Sequence, residues 1–376
     1  MKITKLNIIN IRNHCSTEIE PVPGLNIFYG LNGSGKTSVI ESVSICGFSK
    51  SFMPCPDQAV ARQGEDSYTV SCKAVNDYDI PYFVAVNYSG GRKKRINSTF
   101  GDNLNPKDII GEMPMVILSP DYKMITFGAP SDRREFLDRL LSQAGRKYLD
   151  ELIKLRKALK QRNNLLARAK SGFDLDYSMV EPWNEVFANA AAEIIIRRRN
   201  FIREFIPYFC NTYDFIAGGN ETVGIKYLPD SLPHQEIDNL ELKSVEESYS
   251  KQLKARIREE YARGLTTIGP QKDEILITVN GRPAKDSASQ GQHKSLLISL
   301  KFAEFDYLKT IKNETPLILL DDIFAELDGE RAAKVIQLIK NHRAQTFITL
   351  TDKGLIESFI GGLESRSYYV SCGRIE

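Results

Sequence analysis

The sequence predicts an α/β fold with a mainly helical lobe inserted between its two ends. Residues 25–29 form a short apolar run that ends in a glycine-rich turn, and apolar residues at helical spacing follow the turn. Residues 131–215 carry apolar positions three and four apart throughout, which is typical of packed helices. Residues 273–350 then return to alternating strand and helix patterns. We therefore expect the two ends of the chain to form one α/β core.

The remaining elements follow the same periodicities. Spaced apolar residues predict strands at the start of the chain, and residues 68–97 predict a small β-rich section with a turn at 89–91. Residues 218–238 contain several Gly, Pro and Asp residues and predict an irregular connection. The expected later elements are a charged helix over 240–263, a strand and turn over 273–281, helices over 292–308 and 330–341, and strands over 316–320 and 346–350. We expect a core of residues 1–118 and 265–376, and a helical lobe of residues 119–264.

Composition excludes some classes of protein but does not indicate a partner. The chain has 376 residues, 42% of them hydrophobic, and a net charge of +2, so any affinity for nucleic acid would require local basic patches. No apolar stretch is long enough for a signal peptide or a membrane span, so we expect a cytoplasmic protein with no membrane partner. The six cysteines show no paired metal-ligand spacing, and neither a zinc site nor a disulfide framework is expected.

The glycine-rich turn matches the P-loop pattern. It comprises Gly30, Leu31, Asn32, Gly33, Ser34, Gly35, Lys36 and Thr37, between a predicted strand and a predicted helix. Glycines allow backbone N–H groups to surround phosphate oxygens, and the helix N-terminus favours negative charge. We expect Lys36 to reach the β- and γ-phosphates of ATP and Thr37 to ligate Mg²⁺.

A second segment, which is acidic, has the character of a Walker B motif. The apolar strand over 317–320 ends in two adjacent carboxylates, Asp321 and Asp322. An acidic turn after a buried strand is common, but a P-loop in the same chain favours the functional interpretation. We expect Asp321 to bind Mg²⁺, directly or through water, and Asp322 to polarise the attacking water. Because aspartate is shorter than the glutamate usual in transporters, slow hydrolysis is a reasonable hypothesis.

A third segment resembles the signature of ABC-type ATPases, usually Ser-Gly-Gly-Gln. Ser289, Gly291 and Gln292 align with it, Gln290 replaces the first glycine, and the segment precedes Walker B by about 30 residues. A serine and a close-approach glycine at a helix N-terminus also suit a capped helix or an anion site. The resemblance implies that these residues contact the nucleotide of a second subunit, and that residues 325–328 form the D-loop.

Further segments resemble the RecF family of bacterial DNA-repair ATPases along effectively the whole chain. They are Arg12-Asn13, Ser119-Pro120-Asp121, Gly128-Ala129-Pro130, Arg133 to Asp138, Gly269 to Glu274 and Thr349 to Asp352. In the Gly269 segment, Gln271 and Lys272 replace the family's His and Arg. The position of the transporter switch histidine holds Thr351 and Asp352, which is also similar to RecF-like proteins.

The resemblance implies a slow DNA-associated ATPase. Its cofactors would be ATP and Mg²⁺, and its partners double-stranded and gapped DNA, a second copy of the chain bound through ATP, and RecO and RecR. Its task would be to clamp DNA at gaps or junctions and help load RecA in gap repair, recombination, replication restart and the SOS response. The helical insert is too short for the long arms of chromosome-structuring relatives.

Two basic clusters in the expected helical lobe could contact DNA phosphates. Residues 145–170 contain nine Lys or Arg against two acids, and 197–199 is an arginine triplet. Such runs are more often solvated helix faces. The residues we expect at DNA are Arg146, Lys147, Lys154, Lys157, Arg197, Arg198 and Arg199. A third basic turn, residues 92–95, is explained equally well by the tip of a hairpin.

Three other functions remain open on the sequence. The chain could be the ATPase subunit of a nuclease, the nucleotide-binding subunit of a transporter, or a DNA-structuring protein that needs ATP binding alone. The transporter is disfavoured by the absent switch histidine and by the Arg133-Arg134 segment. No Asn-Lys-x-Asp motif is present, which disfavours small GTPases.

Overall fold

The computed structural model describes residues 1–172, 176–233 and 239–376. The chain forms two compact units. The first comprises Met1–Lys123, Asn211–Asn220 and Gln290–Glu376, and the second comprises Met124–Cys210 and Glu221–Ser289. The fold class is α/β with a helix-rich unit inserted into it, as the sequence predicted.

The elements are numbered in chain order. The strands are β1 (Lys2–Ile11), β2 (His14–Ile19), β3 (Leu25–Tyr29), β4 (Ser67–Val75), β5 (Pro81–Ser89), β6 (Arg95–Ser98), β7 (Met115–Leu118), β8 (Val223–Leu228), β9 (Glu274–Val279), β10 (Arg282–Pro283), β11 (Leu317–Asp321), β12 (Thr346–Leu350), β13 (Ser365–Ser371) and β14 (Arg374–Ile375). The helices are α1 (Lys36–Phe48), α2 (Asp57–Val60), α3 (Met124–Phe127), α4 (Pro130–Ala144), α5 (Arg146–Lys170), α6 (Glu181–Ala217), α7 (Leu242–Ala255), α8 (Ile257–Arg263), α9 (Ala284–Ser287), α10 (Gln290–Lys312), α11 (Gly329–His342) and α12 (Gly354–Glu357).

The first unit contains two sheets. Strands β2-β1-β4-β5-β6 form an antiparallel sheet, and β14-β13-β3-β12-β11-β7 form a sheet in which all pairings except β13–β14 are parallel. The parallel register puts Asp321 of β11 opposite Thr349 of β12. Since parallel strands end at the same edge, the turns that follow β3, β11 and β12 lie close together.

Helix α1 contacts strands of both sheets and is buried along almost its whole length. It shares a core with Phe28, Leu6 and Val70. Glu41 is fully buried in this helix, and a buried carboxylate requires a partner. Arg12 supplies it through two hydrogen bonds of 2.9 Å, to Oε1 and Oε2. The pair holds the residues that follow β1 against the helix that follows the P-loop.

The second unit combines helices with a small antiparallel sheet of order β10-β9-β8. Its core includes Phe187, Phe201, Phe205 and Tyr249, all buried. Strand β8 lies within the segment predicted to be an irregular connection, and this part of the prediction was wrong. Ile225 and Tyr227 alternate toward the core, while all the Pro and Asp residues of the segment and most of its Gly residues lie outside the strand. The last five residues of that segment, 234–238, lie outside the described residues.

Residues 265–289 differ in placement from the expected division. They were expected in the core of residues 1–118 and 265–376, whereas the structure groups them with the second unit. The reason is β9, which pairs with β8 over six registered positions, from Glu274 to Val279. The expected helix over 240–263 is two helices, α7 and α8, separated at Arg256. None of the helices within the described ranges has the length and apolarity of a membrane span.

Candidate nucleotide-binding site

The P-loop connects β3 to α1 in a strained, glycine-dependent path. Gly30 and Gly35 have φ of 148° and 112°, values that side chains rarely adopt. A Cβ at Gly30 would lie 2.4 Å from the Val370 carbonyl oxygen, and one at Gly35 would lie 2.8 Å from His14 Nε2. Only glycine fits both positions. The helix begins at Lys36 with no side-chain cap, so its first N–H groups remain available to an anion.

Lys36 is held inside the loop. Its Nζ donates to the carbonyl oxygens of Gly30 and Leu31, both at 2.9 Å, and the residue is buried. Burial lowers the Lys36 pKa, while the nearby Asp322 and Asp321 raise it. The ammonium therefore lies between the P-loop carbonyls and the acidic end of β11, where a phosphate and a metal ion would both be within its field.

Thr37, Asp321 and Thr349 form one hydrogen-bonded cluster. Asp321 Oδ1 accepts from Thr37 Oγ1 at 2.9 Å and from Thr349 Oγ1 at 2.7 Å. Burial raises the Asp321 pKa, and these two hydrogen bonds oppose that effect. The P-loop hydroxyl of Thr37 and the first Walker B carboxylate are 284 residues apart in the chain, and the hydrogen bond between them brings the two motifs together.

Asp322 follows directly and has a left-handed backbone with φ of 50°. Its N–H donates to Thr349 Oγ1 at 2.9 Å. Its Oδ1 is buried and has no hydrogen-bond partner among the residues that the structure describes. A buried oxygen without a donor is costly unless a ligand or water satisfies it. Ser34 Oγ in the P-loop has the same status.

These observations fit a magnesium nucleotide. Thr37 and Asp321 are oxygen ligands of the kind that Mg²⁺ takes, and Ser34 Oγ and Asp322 Oδ1 are polar atoms still to be satisfied. The glycine loop and the uncapped helix N-terminus suit the phosphates.

Three residues that support the P-loop were not assigned that role from the sequence. His14 is fully buried, with Nδ1 2.8 Å from Thr17 Oγ1 and Nε2 3.0 Å from the Gly35 carbonyl oxygen, and burial lowers its pKa. Asn13 Nδ2 donates to the Gly33 carbonyl oxygen at 2.6 Å. The Gly373 N–H donates to the Ser34 carbonyl oxygen at 2.8 Å. Residues near both ends of the chain thus brace the P-loop, a relation that local periodicity does not report.

The segment that resembles the ABC signature lies at the start of α10. Ser289 directly precedes the helix, and Gly291 and Gln292 occupy its first turn. Lys294 donates to the carbonyl oxygen of Glu326 in the expected D-loop. Asp328 caps α11 by accepting from the Arg331 N–H at 2.9 Å, and Arg331 Nε donates to Ser295 Oγ at 3.0 Å. The part of α10 that directly follows the signature residues is therefore tied to the expected D-loop and to the start of α11.

Two of the segments that resemble the RecF family meet in the second unit. Arg133 makes two hydrogen bonds to Glu274, at 2.9 and 3.0 Å, and Arg134 donates to the Asp273 carbonyl oxygen at 2.7 Å. Asp273 is fully buried and lies 3.1 Å from Arg198 Nη1. These motifs form an ion-pair core of the unit, which explains why particular charged residues occur there.

The expectation that Arg198 contacts DNA was wrong. Its guanidinium is 2% exposed and pairs with Asp138 at 2.8 Å as well as with Asp273. Burial alone would lower the Arg198 pKa, but Tyr148 and the two carboxylates raise it well above its usual range. Consecutive helical residues point about 100° apart, so three adjacent arginines cannot share one face.

The other basic residues are distributed unevenly. Arg146, Lys147 and Lys154 are exposed on α5, where they pair with Asp150, Glu193 and Glu151 respectively. Lys157 is exposed on the same helix. Arg197 is half-buried and pairs with Glu193, and Arg199 is half-buried and donates to the Leu240 carbonyl oxygen at 2.6 Å. Arg162, counted in the basic run, is fully buried against Glu260.

Comparison with known proteins agrees with this architecture. The model of the "RecF/RecN/SMC N terminal domain" family matches residues 2–363. A "DNA replication and repair protein RecF" from Chlorobium luteolum (strain DSM 273 / BCRC 81028 / 2530) is 34% identical over 356 residues, 94% of this chain and 95% of the relative. The protein of the same name from Phocaeicola vulgatus is 33% identical over 373 residues, 98% of this chain and 96% of the relative.

Solved structures give the same result at the level of the fold. A structure described as "the recombination mediator protein RecF-ATP in RecFOR pathway" superposes with a TM-score of 0.91 at 25% identity, covering 100% of this chain and 97% of that one. The Smc head domain from Pyrococcus furiosus gives a TM-score of 0.57 at 13% identity, covering 100% and 95%, which shows shared fold alone. The fold and the site therefore define a P-loop protein of the RecF/RecN/SMC class. Within that class, the chain belongs to the RecF family of DNA replication and repair proteins.

Proposed function

We propose that this chain is an ATP-switched DNA-binding protein that acts as a recombination mediator in the RecFOR pathway. The observation that carries the proposal is the cluster of Thr37, Asp321 and Thr349 around the P-loop, with Asp322 Oδ1 buried and unsatisfied beside it. Solved RecF proteins described as bound to ATP or an ATP analogue support the same ligand here.

Each residue then has a defined task toward ATP. The N–H groups at the start of α1 and the Lys36 ammonium bind the phosphates, and Thr37 and Asp321 hold Mg²⁺. Asp322 orients the attacking water. Its carboxylate is one methylene shorter than glutamate and sits on a left-handed backbone, so its reach is limited, which supports slow turnover. Bound magnesium would stabilise charge on the phosphates during transfer.

The site needs a second copy of the chain to be complete. In the proposed head-to-tail dimer, residues 30–37 of one protomer face Ser289, Gly291 and Gln292 of the other across the nucleotide. The uncapped start of α1 and the serine-preceded start of α10 are each suited to negative charge, so one triphosphate can bridge them. ATP thereby acts as a switch between monomer and dimer rather than as a motor.

The DNA contacts we propose are the exposed cations of α5, namely Arg146, Lys147, Lys154 and Lys157, with Arg197 and Arg199 at its flank. Arg146 and Lys157 lie eleven residues, or about three turns, apart and so project from one face. Arg146, Lys147 and Lys154 pair with neighbouring acids, but their own side chains are solvent-exposed, so DNA phosphates can compete for them. Membership in the RecFOR pathway supports RecO, RecR and RecA as partners at gapped DNA.

The test is binding to labelled gapped duplex DNA with ATP, ADP or no nucleotide, with mass followed by light scattering. We expect ATP to raise both the dimer mass and the DNA affinity. Lys36→Ala removes a charge-assisted bond of about 1.5–3 kcal/mol, which corresponds to roughly ten- to 150-fold weaker ATP binding. Asp322→Asn should keep the ATP-bound dimer and lose hydrolysis. If ATP produces dimers with no gain in DNA affinity, the proposed DNA-binding function is wrong and the ATP-bound dimer acts on a protein partner instead.

A further inference from the structure

A polar cavity of about 660 Å³ opens beside the β5–β6 hairpin of the first unit. Three cations and one carboxylate line it together with three amides, a serine and a tyrosine. The lining residues are Asn87, Tyr88, Ser89, Arg92, Lys93, Arg95, Asn97, Asp102 and Asn103. Positively charged side chains outnumber the single carboxylate, so the cavity favours an anionic ligand.

The walls of the cavity are fixed by hydrogen bonds. Asn87 pairs with Arg95 across the two strands and accepts at Oδ1 from Thr69 Oγ1 at 2.8 Å. Asn97 Oδ1 accepts from the Asn103 N–H at 3.1 Å, which holds the loop after β6 over the strand. The cavity is therefore formed before any ligand arrives, so binding needs little reorganisation.

The four basic residues of this turn have different roles. Lys94 pairs with Asp57, donates to the Ser49 carbonyl oxygen and lies 5.8 Å from the centre of the Tyr68 ring, so its charge stabilises the fold. Arg92 and Arg95 are exposed, and none of the ion pairs within the described part of the chain includes them. Both line the cavity together with Lys93, whose Nζ donates to Asn105 Oδ1 at 2.9 Å.

We propose that this cavity binds the phosphodiester backbone of single-stranded DNA. Guanidinium groups recognise phosphate through paired N–H donors, and the amides of Asn87, Asn97 and Asn103 offer donors and acceptors to sugar and base edges. The volume falls in the range of about 300–1,000 Å³ typical of small-ligand sites, which suits one or two nucleotides. The inference rests on the proposed function and adds to it a contact for the unpaired strand of a gap.

The test compares two charge-matched double variants. Arg92→Gln/Arg95→Gln alters the cavity, and Lys2→Gln/Lys73→Gln removes two exposed charges from the same sheet outside it. Anisotropy of a fluorescent, short all-thymidine oligonucleotide is measured across a salt series without nucleotide. For the cavity variant we expect about tenfold weaker binding and a log–log salt slope shallower by about 1.4, since each single-strand phosphate contact contributes about 0.7. The control variant should bind as the wild type does.

Thermal melting and ATP binding of both variants should match the wild type, because the four side chains are exposed. Equal weakening by both variants would reduce the effect to general charge and overturn the proposal, as would a wild type that does not bind the oligonucleotide. ATP-dependent binding of fully paired duplex is measured in parallel. If the wild type shows no ATP-dependent duplex binding, the proposed function itself is contradicted. A cavity variant that binds duplex normally but binds the oligonucleotide weakly supports both the proposed function and the cavity proposal.

Discussion

At the scale of single residues, Thr349 has the most consequential contacts. It is fully buried, and its hydroxyl donates to Asp321 Oδ1. The oxygen of that hydroxyl, Thr349 Oγ1, also accepts from the Asp322 N–H. One hydroxyl therefore fixes both Walker B residues from the neighbouring strand. If Thr37 turns its hydroxyl to Mg²⁺, the bond from Thr349 still orients the Asp321 carboxylate.

Replacing Thr349 by valine should uncouple magnesium from nucleotide binding. The isosteric change removes a hydrogen bond to a charged group worth about 1.5–3 kcal/mol, so Mg²⁺ should strengthen ATP binding roughly ten- to 150-fold less than in the wild type. ATP binding in EDTA should be unchanged, and Thr349→Ser should restore the wild-type response. Titration calorimetry with and without Mg²⁺ checks this. A valine variant with an unaltered magnesium response would show that Thr349 only packs the sheet edge.

The candidate site could be predicted from the sequence only in part, and the residues show why. The P-loop glycines and the Asp321-Asp322 pair lie in contiguous patterns with a direct physical meaning. Thr349, His14 and Gly373 contact the site through strand register and chain ends, which no local window reports. Arg198 was misassigned because an arginine triplet is usually solvent-exposed. Its angular position on α6 instead points the side chain inward, to Asp138 and Asp273.

At the scale of elements, α10 and α11 meet at an unusual pair. His342 packs between Phe302 and Phe305, with ring centroids 5.8 and 4.6 Å away, and its Nδ1 lies 3.5 Å from Asp306 Oδ1. Burial lowers the His342 pKa to about 4, and burial raises the Asp306 pKa to about 6, partly offset by Lys309. At neutral pH the histidine is uncharged, so the pair is not a salt bridge and the ionised Asp306 is poorly compensated.

Asp306→Asn should therefore stabilise the protein at alkaline pH. The Asp306 pKa of about 6 in the folded protein exceeds the ordinary value of 3.8. The protonated carboxyl therefore contributes stability that is fully present below pH 3.8 and is lost as the pH rises through about 6. Asparagine cannot ionise and avoids that loss. We expect a higher melting temperature than wild type at pH 8 and a much smaller difference at pH 4.5, measured by calorimetry. A gain of equal size at both values would point to packing rather than ionisation.

The elements themselves were predictable where their periodicity was strong. Strands β11 and β12 are short, largely apolar segments that are buried at every position, and α5 and α6 carry long apolar stripes. Strand β8 was missed because turn-forming residues surround it and only Ile225 and Tyr227 carry its inward face. Its identity depends on pairing with β9, about 50 residues later in the chain, and long-range pairing leaves little local trace.

At the scale of the whole molecule, each protomer of the proposed dimer has two half-sites, the P-loop and the Ser289 segment. Each half-site of a protomer contacts a different one of the two nucleotides. Every nucleotide contacts the P-loop of one copy and the Ser289 segment of the other. A protomer damaged in only one half-site therefore still offers the other half intact. This geometry distinguishes a head-to-tail sandwich from a dimer in which each protomer binds ATP by itself.

Mixing two inactive variants should consequently restore ATP-dependent dimers. Lys36→Ala disables the P-loop, and Ser289→Arg blocks the signature segment with a bulky cation, so each alone should stay monomeric with ATP in light scattering. In the heterodimer, one site combines both damaged halves, whereas the other combines the intact P-loop of the Ser289→Arg protomer with the intact signature of the Lys36→Ala protomer. We expect dimer mass to appear only in the mixture, with at most one ATP retained per dimer. If the mixture stays monomeric while wild type dimerises, or if Ser289→Arg dimerises by itself, the nucleotide is not shared between protomers in this way.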